Sequence, residues 1–224
     1  AARDVPVAEE CDLCVVGGGT AGLFAAVTAS RLGLRTAVIE RNGFFGGVAT
    51  AGLVNIWHSL EDTSGRTRII AGLTAEVLDR LAARGAVRKP AAPTGAYVLN
   101  TEELKIELDA LAVEAGVRPF LHAVCVGAAA DAGRVSAAVI EDKSGRRAVR
   151  ARFFVDATGD GDLLRHAGVS LGKRDDMQPP TACALVRGLK GLLDRDPSFR
   201  LARAVFAPGN DRLVPPGFLW SSEA

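Results

Sequence analysis

Asp12-Leu-Cys-Val-Val-Gly-Gly-Gly-Thr-Ala-Gly22 is the stretch that decides the fold. Leu13, Val15 and Val16 form a short apolar run suited to a buried parallel strand, and the segment Ala21 to Leu32 reads as an alanine-rich helix that Gly33 can end. Between them stand Gly17, Gly19 and Gly22, each with its own task. Gly17 allows the tight turn out of the strand, Gly19 lets the backbone approach a ligand with no Cβ in the way, and Gly22 lets helix and strand pack closely. The unpaired N–H groups and the dipole at the helix start favour a diphosphate.

The flanking residues strengthen this. Leu34 to Ile39 gives a second strand, and Glu40 closes it eighteen residues after Gly22. An acid at that place can accept hydrogen bonds from both ribose hydroxyls of an adenosine and would repel a 2′-phosphate. Next comes Arg41-Asn-Gly-Phe-Phe-Gly-Gly-Val-Ala-Thr-Ala-Gly52, a loop that combines glycines with two consecutive aromatics. Such a composition suits backbone approach to a ligand better than a solvated linker.

Whole-chain properties narrow the class. A chain of 224 residues with 48% hydrophobic content can build a real core and points to a globular α/β protein. The 27 Lys and Arg residues against 26 Asp and Glu leave no long-range field to recruit nucleic acid or an anionic membrane. With no run of about eighteen apolar residues and no secretory signal at the start, a cytoplasmic protein is expected. Four cysteines fit a reducing compartment. Cys11 and Cys14 have C-x-x-C spacing, but on a strand residues three apart point to opposite faces, which favours packing over a redox pair. No histidine cluster has metal-ligand spacing, so no metal is expected.

Further along, Ile69 to Arg84 carries an apolar helical stripe at 69, 73, 77 and 81 that Gly85 terminates. Arg88 to Gly95, with Pro90 and Pro93, reads as a loop. Asn100 with Glu103 can form a capping box for a helix lined by Leu104, Leu108 and Leu111 and closed by Gly116. Three strands are expected at Val117 to Ala129, Val135 to Glu141 and Arg147 to Phe154, separated by turns at 131–133 and 143–145. They form an antiparallel meander inserted between parallel strands. The last leads into Val155-Asp-Ala-Thr-Gly-Asp-Gly-Asp162, where glycine-spaced acids before a short helix suggest a second ligand-facing turn, or a turn with an N-cap. After Gln178-Pro-Pro-Thr181, Ala182 to Arg187 is a candidate strand, and the remainder has no strong periodicity.

From Asp12 to Thr181 the order of parts resembles the flavin-dependent oxidoreductases built like glutathione reductase, and within them the group called FAD-dependent oxidoreductases. The segments that carry the likeness are 12–22, 39–41 with 46–52, and FVDATGDGD at 154–162. The resemblance implies a Rossmann-like FAD-binding domain over residues 1–168 with a parallel sheet and a meander at about 117–154. Residues 169–224 would begin an incomplete substrate or cap domain. Gly17, Gly19 and Gly22, with the backbone of Thr20 and Ala21, would cradle the FAD diphosphate. Glu40 would hold the adenosine ribose, Arg41 would flank the adenine, and Val124 would offer backbone contacts to it. Gly46, Gly47, Ala49 and Thr50 would pass beside the flavin, and Gly159, Asp160 and Gly161 would approach the diphosphate and ribityl chain. A carboxylate at Asp160 suits a ribityl hydroxyl because charge-assisted hydrogen bonds are the stronger kind.

Two departures from the pattern carry weight. Flavin disulfide reductases place a cysteine pair just after the ribose acid, whereas residues 42–57 contain no cysteine. That argues against disulfide reduction. Family members are also longer, which implies a second polypeptide, or the other product of a cleavage near Ser221 and Ser222, to complete the flavin site; a truncated molecule is the alternative.

The expected activity is hydride transfer between a small organic substrate and the flavin. His58 is the candidate for a catalytic base or a covalent flavin attachment, with a surface or packing histidine as the alternative. Trp57, Tyr97 and Arg187 are candidates for the substrate side. Two rival readings are a nicotinamide-dependent dehydrogenase using the same first motif, and a non-catalytic FAD-binding subunit of a larger complex.

Overall fold

The computed structural model describes residues 4–209 apart from 93, 173, 178 and 179. The chain divides into two units, Ala1–Thr181 and Ala182–Ala224.

The first unit is built on β1 (Val7–Val16), α1 (Thr20–Arg31) and β2 (Thr36–Ile39). β1 pairs in parallel with β2, with Val16 opposite Ile39, so both strands end at the same level. β2 pairs in parallel with β6 (Arg118–Phe120), and on its other side β1 pairs in parallel with β9 (Gly145–Asp156). β8 (Arg134–Asp142) and β7 (Val124–Asp131) then continue the sheet antiparallel, giving the order β6-β2-β1-β9-β8-β7.

Apolar residues on β1 and β2 alternate between two cores, as a period of two requires. Val15 and Val38 join Leu23, Ala26 and Val27 of α1 in a first buried cluster, whereas Cys14, Val16, Ala37 and Ile39 join Ala138, Ile140 and Val149 in a second. The antiparallel end of the sheet thus covers the face that the helices leave open. Burial on both sides is why these strands read as unbroken apolar runs. Cys11 belongs to the second cluster together with Cys14, and both thiols are free. Burial pushes the Cys14 thiol far above its ordinary value, which suits packing rather than redox exchange.

The first cluster also contains Val77, Leu78 and Leu81 of α2 (Leu73–Ala83) and Leu104, Leu108 and Leu111 of α3 (Thr101–Glu114). Asn100 caps α3 by accepting the N–H groups of Glu102 and Glu103 at 3.0 and 3.3 Å. Its capping box is only half realised. The Glu103 carboxylate turns to Arg84 of the preceding loop at 2.6 Å, and the Asn100 N–H donates to the Ala86 carbonyl.

Several sequence expectations need correction. α2 begins at Leu73 after Gly72, not at Ile69; Ile69 and Ile70 are exposed, and their N–H groups donate to the Leu60 carbonyl instead. Val117 to Ala129 is not one strand. β6 belongs to the parallel sheet, the chain turns at Leu121 and His122, and β7 starts at Val124. The meander is therefore continuous with the parallel sheet, sharing β9 with it. Two short strands, β4 (Val87–Arg88) and β5 (Tyr97–Leu99), form with β3 (Ile56–Trp57) a three-stranded antiparallel sheet that had no sequence signal. Residues 182–187 carry no regular structure; the second unit's described elements are α5 (Leu189–Arg195) and α6 (Leu201–Val205). Among the described residues no helix is long and apolar enough to cross a membrane.

Candidate functional site

The C-terminal ends of β1, β2 and β9 meet at one edge of the sheet, where open α/β sheets place their ligands. Gly17 leaves β1 at φ +101°, a conformation that favours glycine, while its N–H donates to the Ile39 carbonyl at 2.8 Å. A Cβ there would overlap the Ala157 carbonyl, and a Cβ on Gly22 would overlap the Gly17 carbonyl. Gly17 and Gly22 are thus packing glycines. Gly19 differs: it is the N-cap of α1, and a Cβ on it would meet nothing within 4 Å. No side chain caps α1 and no acid stands in its first turn, so the dipole at its start has no negative partner on the helix itself.

Glu40 lies next to this space. Its buried carboxylate accepts the Gly18 N–H at 2.7 Å, the Asn42 N–H at 2.7 Å and the Asn42 side-chain amide at 2.8 Å. Glu40 is therefore tied to the glycine turn through one backbone hydrogen bond, and it retains lone pairs for further donors. Arg41 beside it is exposed. The Glu40 carbonyl accepts the Ala123 N–H at 3.0 Å, which brings half-exposed Val124 to the same edge.

The loop 41–52 folds against the start of α1. The Gly46 N–H donates to the Gly18 carbonyl, and a Cβ on Gly47 would stand 3.0 Å from the Gly19 Cα. Phe45 is buried against Gly18, whose absent Cβ would be 2.6 Å from its ring. Ala49 and Thr50 are buried too, and the Thr50 hydroxyl donates to the Phe45 carbonyl at 2.7 Å. Phe44 lies under the Lys105 ammonium at 4.2 Å. Asp109 of α3 supports the loop from below through the Phe45 N–H; burial pushes its carboxyl up, and its Oδ1 is buried without a hydrogen-bond partner.

The second glycine turn abuts the first, because Val16 is opposite Asp156 and the Ala157 N–H donates to the Val16 carbonyl at 2.7 Å. Asp156 holds this turn. It accepts the Thr158 N–H and hydroxyl at 3.0 and 2.7 Å and the Leu164 N–H at 3.0 Å, while the Thr158 hydroxyl accepts the Asp162 N–H. Neither Asp160 nor Asp162 caps α4 (Asp162–His166); its N-cap is Gly161, without a side-chain cap. Asp160 and Gly159 are exposed at the tip of the turn.

Gly17, Gly19, Gly22, Glu40, Gly46, Gly47 and the 157–161 turn are thus brought together. His58 is exposed at the end of β3, where Trp57 and Tyr97 are cross-strand partners, and Arg187 belongs to the second unit. The motif spacing passed over Gly18, Asn42 and Asp156, whose roles are hydrogen bonds across the turns. Only the doubled glycine at 17–18 and the acid opening the 156–162 run hinted at them.

The space at Gly19, the uncapped helix start and the adjacent acid fit a dinucleotide. Comparison with known proteins agrees. The model of a family described as FAD dependent oxidoreductase matches residues 12–215. Digeranylgeranylglycerophospholipid reductase 2 of Methanothermobacter thermautotrophicus is 31% identical over 219 residues, covering 93% of this chain and 53% of that protein. A thiamine thiazole synthase of Sulfolobus acidocaldarius is 32% identical over 117 residues, 52% of this chain and 39% of the other. Among solved structures, THI4 of Thermovibrio ammonificans superposes with a TM-score of 0.51 at 27% identity, over 72% of this chain and 64% of its own. The chain spans about half or less of the length of these two curated relatives.

Proposed function

The chain belongs to the FAD dependent oxidoreductase family, whose cofactor is FAD, and on that premise we propose that residues 1–168 grip FAD in the manner of the glutathione-reductase-like flavoproteins. The observation that carries this reading is the open space over Gly19 at an uncapped helix start, one residue from the Gly18 N–H that Glu40 accepts. In it Gly17, Gly19, Thr20, Ala21 and Gly22 present backbone to the diphosphate. Glu40 accepts from the ribose hydroxyls, Arg41 flanks the adenine, and the Val124 backbone contacts its edge. Gly46, Gly47, Ala49 and Thr50 run beside the flavin, and Gly159, Asp160 and Gly161 approach the diphosphate and ribityl chain.

Bound FAD supplies hydride or two-electron transfer to or from a small organic substrate. The chain's own residues bind and orient it: Glu40 selects an unphosphorylated ribose, and the turns at 17–22 and 157–161 present backbone to the diphosphate. The relative that covers 93% of this chain is a reductase, which supports redox chemistry. His58 is the proposed base or flavin attachment point. A second polypeptide completing the flavin site, with residues 169–224 as the start of a substrate domain, belongs to the same proposal. A reducing compartment such as the cytoplasm suits the four free thiols.

Titration of the protein with FAD, followed by absorption at about 370 and 450 nm, tests the cofactor site. Saturable, stoichiometric uptake with a perturbed flavin spectrum is expected, and FAD is expected to bind more tightly than NAD, which shares only its adenosine diphosphate half. Uptake of NAD in place of FAD would transfer the chain to the nicotinamide class.

A further inference from the structure

His122 is one of three non-glycine residues with positive φ among the described residues, at +53°. That conformation is costly for a side-chain-bearing residue and persists only where the surroundings over-determine it. Here they do. The backbones of 40–42 and 120–123 are laced by three hydrogen bonds: Glu40 N–H to the Phe120 carbonyl at 2.9 Å, His122 N–H to the Asn42 carbonyl at 3.0 Å, and Ala123 N–H to the Glu40 carbonyl at 3.0 Å. The lacing fixes His122 at the point where β6 has ended and β7 has not begun. It also aims the imidazole across the turn: a Cβ on Gly43 would stand 2.5 Å from Nε2 and 2.7 Å from Cε1. A side chain at 43 would thus have to push the ring aside, while the φ of Gly43 itself is absent from the positive set.

His122 is exposed, so its ring is not a core side chain. It covers the turn that carries Asn42, whose N–H and amide both hold the Glu40 carboxylate, and it is two residues before Val124. We propose that His122 is a positioning residue for the adenine end of the dinucleotide. Its imidazole, seated on Gly43, supplies a flat wall on which the purine rests while Glu40 holds the ribose. This inference rests on the FAD reading above. The ligand class is an adenine nucleotide with a free ribose, and an aromatic ring is a platform any purine can use.

The test is a set of variants of the full chain, measured for affinity toward FAD and toward ADP-ribose and for apoprotein melting. His122→Asn keeps a residue tolerant of the left-handed conformation and removes the ring. His122→Gly removes both ring and strain. Gly43→Ala keeps the ring and displaces it. All three are expected to weaken FAD and ADP-ribose alike by about tenfold, the scale of one lost base-stacking contact. His122→Gly is expected to melt no lower than the native chain. In the His122→Gly background Gly43→Ala is expected to have no further effect, because the space it would invade is empty. Affinities within twofold of native in the His122 variants, or a Gly43→Ala effect independent of His122, would overturn the role of His122 alone. A native chain that takes up neither FAD nor ADP-ribose would overturn the cofactor reading beneath it.

Discussion

Glu40 reaches back from the end of β2 to accept the backbone N–H of Gly18 at 2.7 Å, so a single buried carboxylate joins the end of β2 to the glycine turn. The same group holds Asn42 by two further bonds. It has a structural duty before any ligand arrives, and the proposed FAD site adds a binding duty.

Glu40→Ala should therefore show two losses. Two backbone N–H groups lose their acceptor, at a cost of about 1–3 kcal/mol in urea melts of the apoprotein. FAD affinity should fall at least about tenfold beyond what that destabilisation explains. An unchanged flavin titration would remove Glu40 from the ribose position.

Gly19 and Gly22 should part company. Gly19 has φ −61° and open space at its Cβ, so Gly19→Ala should fold with a melting temperature near native yet bind FAD poorly. Gly22→Ala drives a methyl into the Gly17 carbonyl and should cost about 1–3 kcal/mol, with binding lost along with the fold. Equal stability in the two variants would mean that the turn is looser than described.

Acid should weaken the helical layer in a defined window. Arg31 of α1 and Arg80 of α2 hold the Glu76 carboxyl down to about 2, and Arg80 also lowers Glu114 of α3. A carboxylate whose folded pKa lies below its unfolded one contributes stability above the unfolded pKa and loses it as pH falls through the folded value. Stability should thus decline between the ordinary glutamate range near pH 4.5 and about pH 2. Glu76→Gln should flatten that decline and lose about 1 kcal/mol at pH 7, a loss that high salt reduces. Thermal melts against pH decide it; a native slope in the variant would contradict the assignment.

The thiols should label in order of exposure. Cys183 is exposed, whereas Cys14 is fully buried and its pKa is driven up by burial. Iodoacetamide at pH 8 should modify Cys183 in the native protein and reach Cys14 only after denaturation. Rapid native labelling of Cys14 would contradict the double-sided burial of β1.

Local chemistry made much of this protein legible in its sequence. The strand, glycine turn and helix at 12–32, the acid at 40 and the Asn100 cap all follow from rules that act within a few residues. Glycine identity and apolar spacing carry that information directly. Residues 69–72 misled because an apolar stripe does not say where a helix starts; the Leu60 carbonyl, outside that stripe, captures the N–H groups of Ile69 and Ile70. β3, β4 and β5 were missed because two or three residues are too few to show a period, and only pairing creates them.

The site divides along the same line. Sequence alone determined which residues could accept a dinucleotide, since a missing Cβ and an acid at fixed spacing are properties of the chain itself. Tertiary structure decided what each one does: Gly17 and Gly22 serve packing while Gly19 faces open space, Asp156 rather than Asp160 or Asp162 braces the second turn, and His122 is bent over Gly43. Those assignments depend on hydrogen bonds and contacts between segments as far apart as residues 17 and 157. No local rule encodes such distances; they exist only once the sheet has brought the ends of β1, β2 and β9 to one edge.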